Sequence, residues 1–259
     1  MLQQFILQAI DFQKLNCAFV VKNLQTGECA SYNSEARVAS ASLIKLAVMA
    51  ESIRQVKEGK LNLKQRLVVR EEDKVDFSIL TLLATGNSYT LRDLLTLTIV
   101  QSDNTAANIL IDLTGMTEIN KFCNDLGLKD TVLRRKMMDG EARKAGRENY
   151  TTAADMARFL ELLYQGKLLD PESCSLMIEI MKKQLDNTMI RLYIPDDTVV
   201  AHKTGELEGI SHEAGIVYHD KADFIIVMLV WDALSGNDAR QTIGRAAKTV
   251  YDYFITEGN

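Results

Sequence analysis

The chain has 259 residues, with 30 basic and 35 acidic side chains and a formal net charge of −5. This length supports one large core or two closely packed lobes, and 47% hydrophobic with 25% charged residues is an ordinary globular composition, which excludes a largely disordered chain. The sequence has no block of lysine or arginine, which argues against a nucleic-acid partner. It has no apolar stretch long enough for a membrane span.

The cysteines and histidines do not predict a metal centre. The chain has four cysteines without a C-x-x-C pair, set among apolar neighbours as buried free thiols usually are: Cys17, Cys29, Cys123 and Cys174. Its histidines are His202, His212 and His219, and the segment between the last two has the pattern of a strand rather than of a helix. We therefore expect no metal and no other cofactor.

The first residues are amphipathic and lack both a basic start and a small-residue cleavage site, so they do not have the pattern of a signal peptide. The localisation stays open between a cytoplasmic protein and the mature form of an exported one. Apolar residues at helical spacing predict a helix over residues 3–14. A hairpin is predicted next, with strands over residues 17–21 and 28–32.

Helical periodicity dominates the middle of the chain. Helices are predicted over residues 43–57, 91–100, 105–113, 118–125, 153–165 and 171–181. The residues before the last two of these helices support the predicted starts. Thr152 with Asp155 resembles a capping box, and Asp170 before Pro171 is a cap followed by a first-turn proline. Residues 134–149 show no apolar period and predict a long loop, and such loops in compact domains are usually functional or disordered.

Strand signals return after Pro195. Strands are predicted over residues 198–201, 214–218 and 223–231, followed by a helix over residues 238–255. The two ends of the chain thus share one character and the middle has another. We predict an α/β (α+β) fold of two lobes, in which residues 1–38 and 188–259 form a discontinuous α/β lobe and residues 39–187 an inserted all-helical lobe.

The first candidate catalytic motif is S-x-x-K, formed by Ser42 and Lys45. In a helical segment this spacing puts the hydroxyl and the amine on one face, where an unprotonated lysine can activate the serine. By average composition the motif is expected about once by chance in a chain of this length. A capping serine and a surface lysine would be the better explanation if the motif stood alone.

Two rarer motifs accompany it. The tripeptide S-D-N at residues 102–104 directly follows a predicted apolar helix, and K-T-G at residues 203–205 follows a predicted strand. Each is expected only roughly a few hundredths of a time by chance. Their joint presence, in this order and on these elements, predicts a site with a serine nucleophile.

The three motifs resemble those of the class A β-lactamases and the related penicillin-binding proteins, which are penicillin-recognising serine hydrolases. The segments SDNTAANIL and TTAADMA and the order of the elements extend the resemblance over essentially the whole chain. It implies an antiparallel sheet flanked by terminal helices, with the helical lobe inserted. It also implies a monomer that acts on a small molecule, either a β-lactam or a D-Ala-D-Ala-like peptide.

The resemblance implies three catalytic roles. Ser42 attacks the substrate carbonyl, and Lys45, with a pKa lowered by desolvation, is the candidate to accept its proton. Ser102 relays a proton to the departing nitrogen. The backbone N–H groups of Ser42 and Glu206 form the oxyanion hole that stabilises the negative charge of the reacting carbonyl.

It also implies binding roles. Asn104 holds the side-chain amide of the substrate, and Lys203 and Thr204 bind its carboxylate. Gly205 lets a ligand lie close to the strand.

Two further binding residues are weaker predictions. Phe77 aligns approximately with an aromatic residue that flanks the cleft in members of this family, although ordinary core or surface packing would also explain a phenylalanine there. His212 is a candidate for a further substrate-binding cation when protonated, and the alternative is a histidine that begins a strand and faces solvent.

The long loop departs from the family pattern. Class A β-lactamases carry a glutamate there that activates the deacylating water. Counted from Arg135, which resembles the anchoring arginine of the loop, this position is Met137, and a thioether is no general base. Asp139 or Glu141 could substitute, and Asp139 is the candidate that we retain, although both also fit solvated loop charges.

Three functions therefore remain open. The first is a β-lactamase that opens β-lactam rings through an acyl-enzyme at Ser42, with deacylation impaired by Met137 or assisted by Asp139 or a rearranged water. The second is a penicillin-binding D,D-peptidase or an esterase. The third is a sensor that uses stable acylation as its signal.

Overall fold

The computed structural model describes residues 1–255. Its helices are α1 (Leu2–Gln8), α2 (Lys45–Lys57), α3 (Leu91–Val100), α4 (Asn104–Thr114), α5 (Met116–Asp125), α6 (Gly140–Lys144), α7 (Ala153–Tyr164), α8 (Pro171–Met181) and α9 (Gly236–Ile255). Its strands are β1 (Asn16–Asn23), β2 (Cys29–Tyr32), β3 (Val38–Ala39), β4 (Arg66–Val68), β5 (Ser88–Thr90), β6 (Tyr150–Thr151), β7 (Val199–Leu207), β8 (Ile210–Tyr218) and β9 (Phe224–Trp231). None of the helices in this part of the chain is both long and apolar enough to cross a bilayer.

The main sheet has five antiparallel strands in the order β2-β1-β9-β8-β7, so strands from both ends of the chain form it. Side chains alternate between its faces. On β1, Phe19 and Val21 pack with the terminal helices α1 and α9, whereas Ala18 and Val20 belong to the cluster that contains the middle helices. The edge strand β7 borders the helical part of the molecule, where the motifs meet.

Helix α2 lies at the centre of this second cluster. Its residues from Lys45 through Ile53 are all buried, including the polar Lys45, Glu51 and Ser52. A helix covered on nearly all sides fixes its first turn firmly, because every shift disturbs close packing. Ser42 and Lys45 are therefore held at a rigid position.

The predicted fold class is confirmed: an antiparallel sheet flanked by terminal helices, with helices inserted between its strands. Helix α1 ends at Gln8 rather than at residue 14, and β7 continues to Leu207 because all nine of its residues pair with β8. K-T-G thus lies inside a strand. The division at residues 39 and 187 stays a prediction, because one core cluster contains both helix and sheet residues.

The turn that carries S-D-N is held by Asp103. This residue is fully buried and caps α4, where its Oδ1 accepts a hydrogen bond from the Ala106 N–H at 2.8 Å. Its Oδ2 accepts a second bond from the Leu80 N–H at 3.0 Å. The middle residue of the motif therefore positions Ser102 and Asn104 rather than reacting itself.

We expect Asp103→Ala to lower the free energy of unfolding by about 2 kcal/mol, because it removes a helix cap and leaves a buried N–H unpaired. Urea denaturation followed by circular dichroism measures this change. Asp125→Ala, at an exposed position of α5, is the control and should change stability by less than about 0.5 kcal/mol. An equal effect of both substitutions would contradict the role of Asp103.

Candidate active site

A cleft with a volume of about 610 Å³ runs between β7 and the middle helices. Motif residues lie along both of its walls. The sequence-predicted residues that line it are Ser42, Phe77, Ser102, Asn104, Asp139, Thr204, Gly205 and Glu206. Met137 lines it as well.

Ser42 lies on a short 3₁₀ helix, Ala41–Ile44, that runs directly into α2. The N–H of Lys45 donates a hydrogen bond to the Ser42 carbonyl, which fixes the two residues on consecutive turns. Ser42 is partly exposed to the cleft, whereas Lys45 is fully buried beneath it. The pair is thus a reachable hydroxyl next to a dehydrated amine.

Among the described residues, the Lys45 amine has hydrogen-bond partners only in the S-D-N turn. Its Nζ lies 3.2 Å from Ser102 Oγ and 2.7 Å from Asn104 Oδ1, and it also donates to the Ser102 carbonyl. These contacts join two of the three motifs through one nitrogen atom. They also leave Lys45 without an ion-pair partner in direct contact among residues 1–255.

Burial is the main cause that lowers the pKa of Lys45 well below its usual value, and the positive charge of Lys203 lowers it further. Asp103 opposes this effect through its negative charge. The lowered pKa increases the unprotonated fraction of the amine, which is the form that can accept a proton. The environment therefore suits a general base.

Ser102 has a φ of +53°, in the left-handed region that non-glycine residues seldom adopt. It lies between the end of α3 and the start of α4, where the chain reverses. This conformation lets both its carbonyl and its hydroxyl contact the Lys45 amine. Such backbone strain is common where a side chain must be aimed at a reacting group.

The third motif enters the site along β7. A Cβ atom on Gly205 would lie 2.9 Å from the Ser42 nitrogen and 3.2 Å from the Leu43 nitrogen, both closer than normal contacts. The glycine therefore lets the strand approach the backbone of the nucleophile. This close contact within the protein accounts for Gly205 more directly than the approach of a ligand.

Lys203 is fully buried, and its Nζ donates a hydrogen bond to the Thr204 carbonyl at 2.7 Å. Burial lowers the pKa of Lys203 to about 7, and the negative charges of Asp186 and Glu213 act in the opposite direction. Lys203 thus lies behind the cleft wall, whereas Thr204 and Gly205 of the same motif line the cleft.

Beyond Gly205 the strand carries Glu206, which forms a bidentate ion pair with Arg240 from α9, with both N–O distances 2.8 Å. Asp186 lines the same end of the cleft, in the segment that follows α8. Neither Asp186 nor Arg240 belongs to a motif, and only the folded chain brings them to this place.

The long loop is anchored at both ends. Arg135 pairs with Glu148, with distances of 2.8 Å from Nε and 2.7 Å from Nη2 to the carboxylate. The side chain of Asn108 accepts a bond from the Met137 N–H at 2.8 Å and donates one to the Met137 carbonyl at 3.1 Å. The side chain of Met137 is 7% exposed and lines the cleft.

Of the two loop carboxylates, only Asp139 lines the cleft. It caps the short helix α6, where its Oδ1 accepts a bond from the Ala142 N–H at 2.8 Å. Glu141 pairs instead with Lys144, and its side chain is 88% exposed. The structure therefore leaves Asp139 as the remaining loop candidate and removes Glu141.

Phe77 lies at the rim of the cleft, 80% exposed and with a φ of +55°. The structure contradicts the prediction for His212, which is fully buried inside β8 and does not line the cleft. Its Nε2 lies 2.9 Å from the Ala39 carbonyl, and burial lowers its pKa to about 4. A neutral buried ring supplies no substrate-binding cation, and it does not face solvent either.

Sequence reasoning missed three residues near the site. Asn108 had a signal, because it follows Asn104 by one helical turn and so shares a face of α4 with it. Asp186 and Arg240 had none, since each comes from a separate segment. Residues 1–255 contain no group of three or more histidine, cysteine or acidic side chains placed to hold a metal.

Two serines that line the cleft and a buried lysine with a lowered pKa behind them are the groups that a serine acyl-transfer site requires. A model of the beta-lactamase enzyme family matches residues 2–254. The chain therefore belongs to the beta-lactamase enzyme family.

Comparisons with individual proteins support this family assignment. Beta-lactamase CARB-4 of Pseudomonas aeruginosa is 27% identical over 240 residues, covering 89% of this chain and 83% of the relative. The structure of a beta-lactamase from Sphaerobacter thermophilus matches with a TM-score of 0.90 at 28% identity, covering 98% of this chain and 96% of the other. An ancestral class A beta-lactamase matches with a TM-score of 0.90 at 25% identity, covering 98% and 100%.

PBP-A is also similar in structure, with a TM-score of 0.89 at 27% identity, covering 98% of this chain and 95% of PBP-A. A variant of PBP-A has been solved as an acyl-enzyme complex with penicillin G. The fold thus occurs both in named beta-lactamases and in PBP-A.

We expect Gly205→Ala to lower the rate of acylation by a β-lactam about 100-fold, because the added methyl group displaces the Ser42 backbone. Stopped-flow or mass-spectrometric acylation kinetics measures this rate. Gly236→Ala is the control, since a methyl group there meets nothing within 4 Å. Acylation within twofold of the unmodified protein would refute the close contact at Gly205.

Proposed function

We propose that this protein is a serine β-lactam hydrolase that forms an acyl-enzyme at Ser42 readily and releases it slowly. The observation that carries the proposal is the buried Lys45 amine, which contacts Ser102 and Asn104 and belongs to the residue one helical turn after the partly exposed Ser42. The substrate is a small molecule that fits the cleft. A monomeric state and the absence of nucleic-acid partners stay predictions.

Acylation follows from the proposed roles. Ser42 Oγ forms a bond to the lactam carbonyl carbon as its proton passes to the neutral Lys45 amine. The carbon–nitrogen bond of the ring then breaks, and the nitrogen receives a proton through the Ser102 hydroxyl. Backbone N–H groups of Ser42 and Glu206 would stabilise the oxyanion, each by about 2.7 to 4 kcal/mol.

Substrate binding uses the two walls of the cleft. Asn104 faces the substrate amide from α4, and Thr204 offers a hydroxyl to its carboxylate from β7. Lys203 adds positive charge from behind the strand rather than a contact at the cleft surface. Phe77 closes the rim with an apolar surface.

Deacylation lacks a general base at the usual loop position. The loop holds the backbone of Met137 at the cleft through Asn108, but the side chain there cannot take a proton from water. General-base assistance is worth about 100- to 10,000-fold in rate, so its loss prolongs the acyl-enzyme. Asp139 would restore part of this rate only if it left its cap on α6.

A penicillin-binding peptidase or esterase is the second candidate. The structural similarity to PBP-A, a variant of which forms an acyl-enzyme with penicillin G, favours it together with Met137. Both candidates share acylation at Ser42. Release of D-alanine from a D-Ala-D-Ala peptide would favour the second candidate.

The rate of acylation should fall as the pH drops below the pKa of Lys45, because a protonated amine cannot accept the Ser42 proton. Since burial lowers this pKa, the fall occurs well below pH 10.5 rather than at the value of an ordinary lysine. Acylation rates measured between pH 5 and pH 9 test this, with Lys45→Arg as the permanently protonated control. Equal rates for both proteins would refute Lys45 as the base.

Met137→Glu should shorten the lifetime of the acyl-enzyme by about 100-fold or more, because it introduces a carboxylate at the position that the loop holds against the cleft. Intact-mass spectrometry after mixing with penicillin G follows the adduct, and nitrocefin hydrolysis gives the turnover. The unmodified protein should show a lasting adduct with slow turnover, and Ser42→Ala should show neither.

Two results would contradict this proposal. Rapid nitrocefin turnover by the unmodified protein, without a detectable adduct, would show that deacylation is efficient in spite of Met137. An adduct on Ser42→Ala would place the nucleophile elsewhere.

A further inference from the structure

Asp186 is a negatively charged residue at the end of the cleft where the substrate carboxylate is proposed to bind. It lines the main cleft together with Thr204. The same two residues also line a smaller adjoining cavity, with Gln101 and Ser102. The carboxylate of Asp186 and the hydroxyl of Thr204 thus border the same space from two separate chain segments.

The position of Asp186 is fixed by its neighbours. Its Oδ1 accepts bonds from the Thr188 hydroxyl at 2.6 Å and from the Thr188 N–H at 3.1 Å. Its own N–H donates to the side chain of Gln184 at 3.1 Å, and Gln184 in turn donates to the Ile99 carbonyl at 2.8 Å. The segment is therefore tied to the end of α3, and the carboxylate cannot simply swing away from the cleft.

Asp186 is ionised at neutral pH. Partial burial raises the pKa of its carboxyl group, but hydrogen bonds from Thr188 and from the Thr204 hydroxyl, together with the charge of Arg240, lower the pKa by more. A resident anion thus lines the same space as Thr204, the residue that a substrate carboxylate would use.

The other charges at this end do not neutralise Asp186 fully. Glu206 and Glu208 also line the cleft there, and Arg240 is paired with Glu206. Lys203 is buried behind the strand, where its charge interacts with Glu213 as well as with Asp186. An incoming carboxylate therefore meets at least one fixed negative charge, and like charges brought together cost binding energy.

We propose that Asp186 is a specificity-determining residue, whose carboxylate weakens the binding of substrates with an anionic group beside Thr204 relative to the same substrates in neutral form. This inference rests on the proposed function, because it concerns the carboxylate end of the same cleft. The Asp186 carboxylate would give the protein a lower preference for substrates with a free carboxylate than the K-T-G motif alone implies.

The test compares penicillin G with its methyl ester, which lacks the negative charge at this position and carries one added methyl group. Second-order rate constants for acylation of Ser42 are measured by intact-mass spectrometry at pH 5, about two units below the Lys203 pKa of about 7, because removal of the Asp186 charge lowers the pKa of this amine further. Asp186→Asn keeps an oxygen that can accept the Thr188 bonds, so it removes the charge with little change in shape. Asp197→Asn removes an equal charge at an exposed position outside the cleft.

We expect Asp186→Asn to raise the ratio of the rate constant for penicillin G to that for the ester by about tenfold. The ratio for Asp197→Asn should stay within twofold of that of the unmodified protein. An unchanged or lowered ratio in Asp186→Asn, with acylation still occurring, would overturn the role of Asp186 alone. Absence of any adduct on the unmodified protein would instead overturn the proposed function.

Discussion

The burial of the Lys45 amine is the constraint on which the site depends. A lysine removed from water must find hydrogen-bond acceptors inside the protein, and the turn between α3 and α4 provides them through Ser102 and Asn104. Asp103 holds this turn in place, because it caps α4 and accepts a hydrogen bond from the Leu80 N–H. The lowered pKa of Lys45 and the positions of its neighbours therefore have one common cause.

A second constraint sets the width of the cleft. Because Gly205 has no side chain, β7 lies against the backbone of the 3₁₀ helix that carries Ser42. The strand itself cannot shift easily, since it pairs with β8 over its whole length. The two walls are thus fixed by a buried helix on one side and by a sheet edge on the other.

The loop shows that the scaffold of a site and its chemistry are separable. Arg135 with Glu148 closes the loop, and Asn108 holds Met137 by both backbone groups, so the geometry of the loop does not require an ionisable side chain at position 137. In the proposed function, the side chain at position 137 would decide how the acyl group leaves, whereas the rest of the site would serve acylation. The resident charge of Asp186 in turn affects which substrate end is accepted.

The sequence by itself determined the fold class, most helices and the residues of the three motifs, because periodicity, caps and rare tripeptides are local properties. Helix caps such as Thr152 and Asp170 were predicted from neighbouring residues and are present in the structure. The replacement of the usual loop glutamate by Met137 could also be predicted from the sequence, because it required only a count from Arg135. The end of α1 and the length of β7 were predicted wrongly from the sequence, because packing and strand pairing determine them.

Only the tertiary structure decided what each site residue faces. His212 was placed in the cleft by sequence reasoning, but its position on β8 turns it toward the Ala39 carbonyl in the interior. Asp186 lines the cleft and Arg240 pairs with the cleft residue Glu206, and because these two come from segments far apart in the chain, no local pattern predicts their approach. Exposure, pKa and the balance of charge depend on which distant segments meet, and the packing of the whole chain sets those meetings.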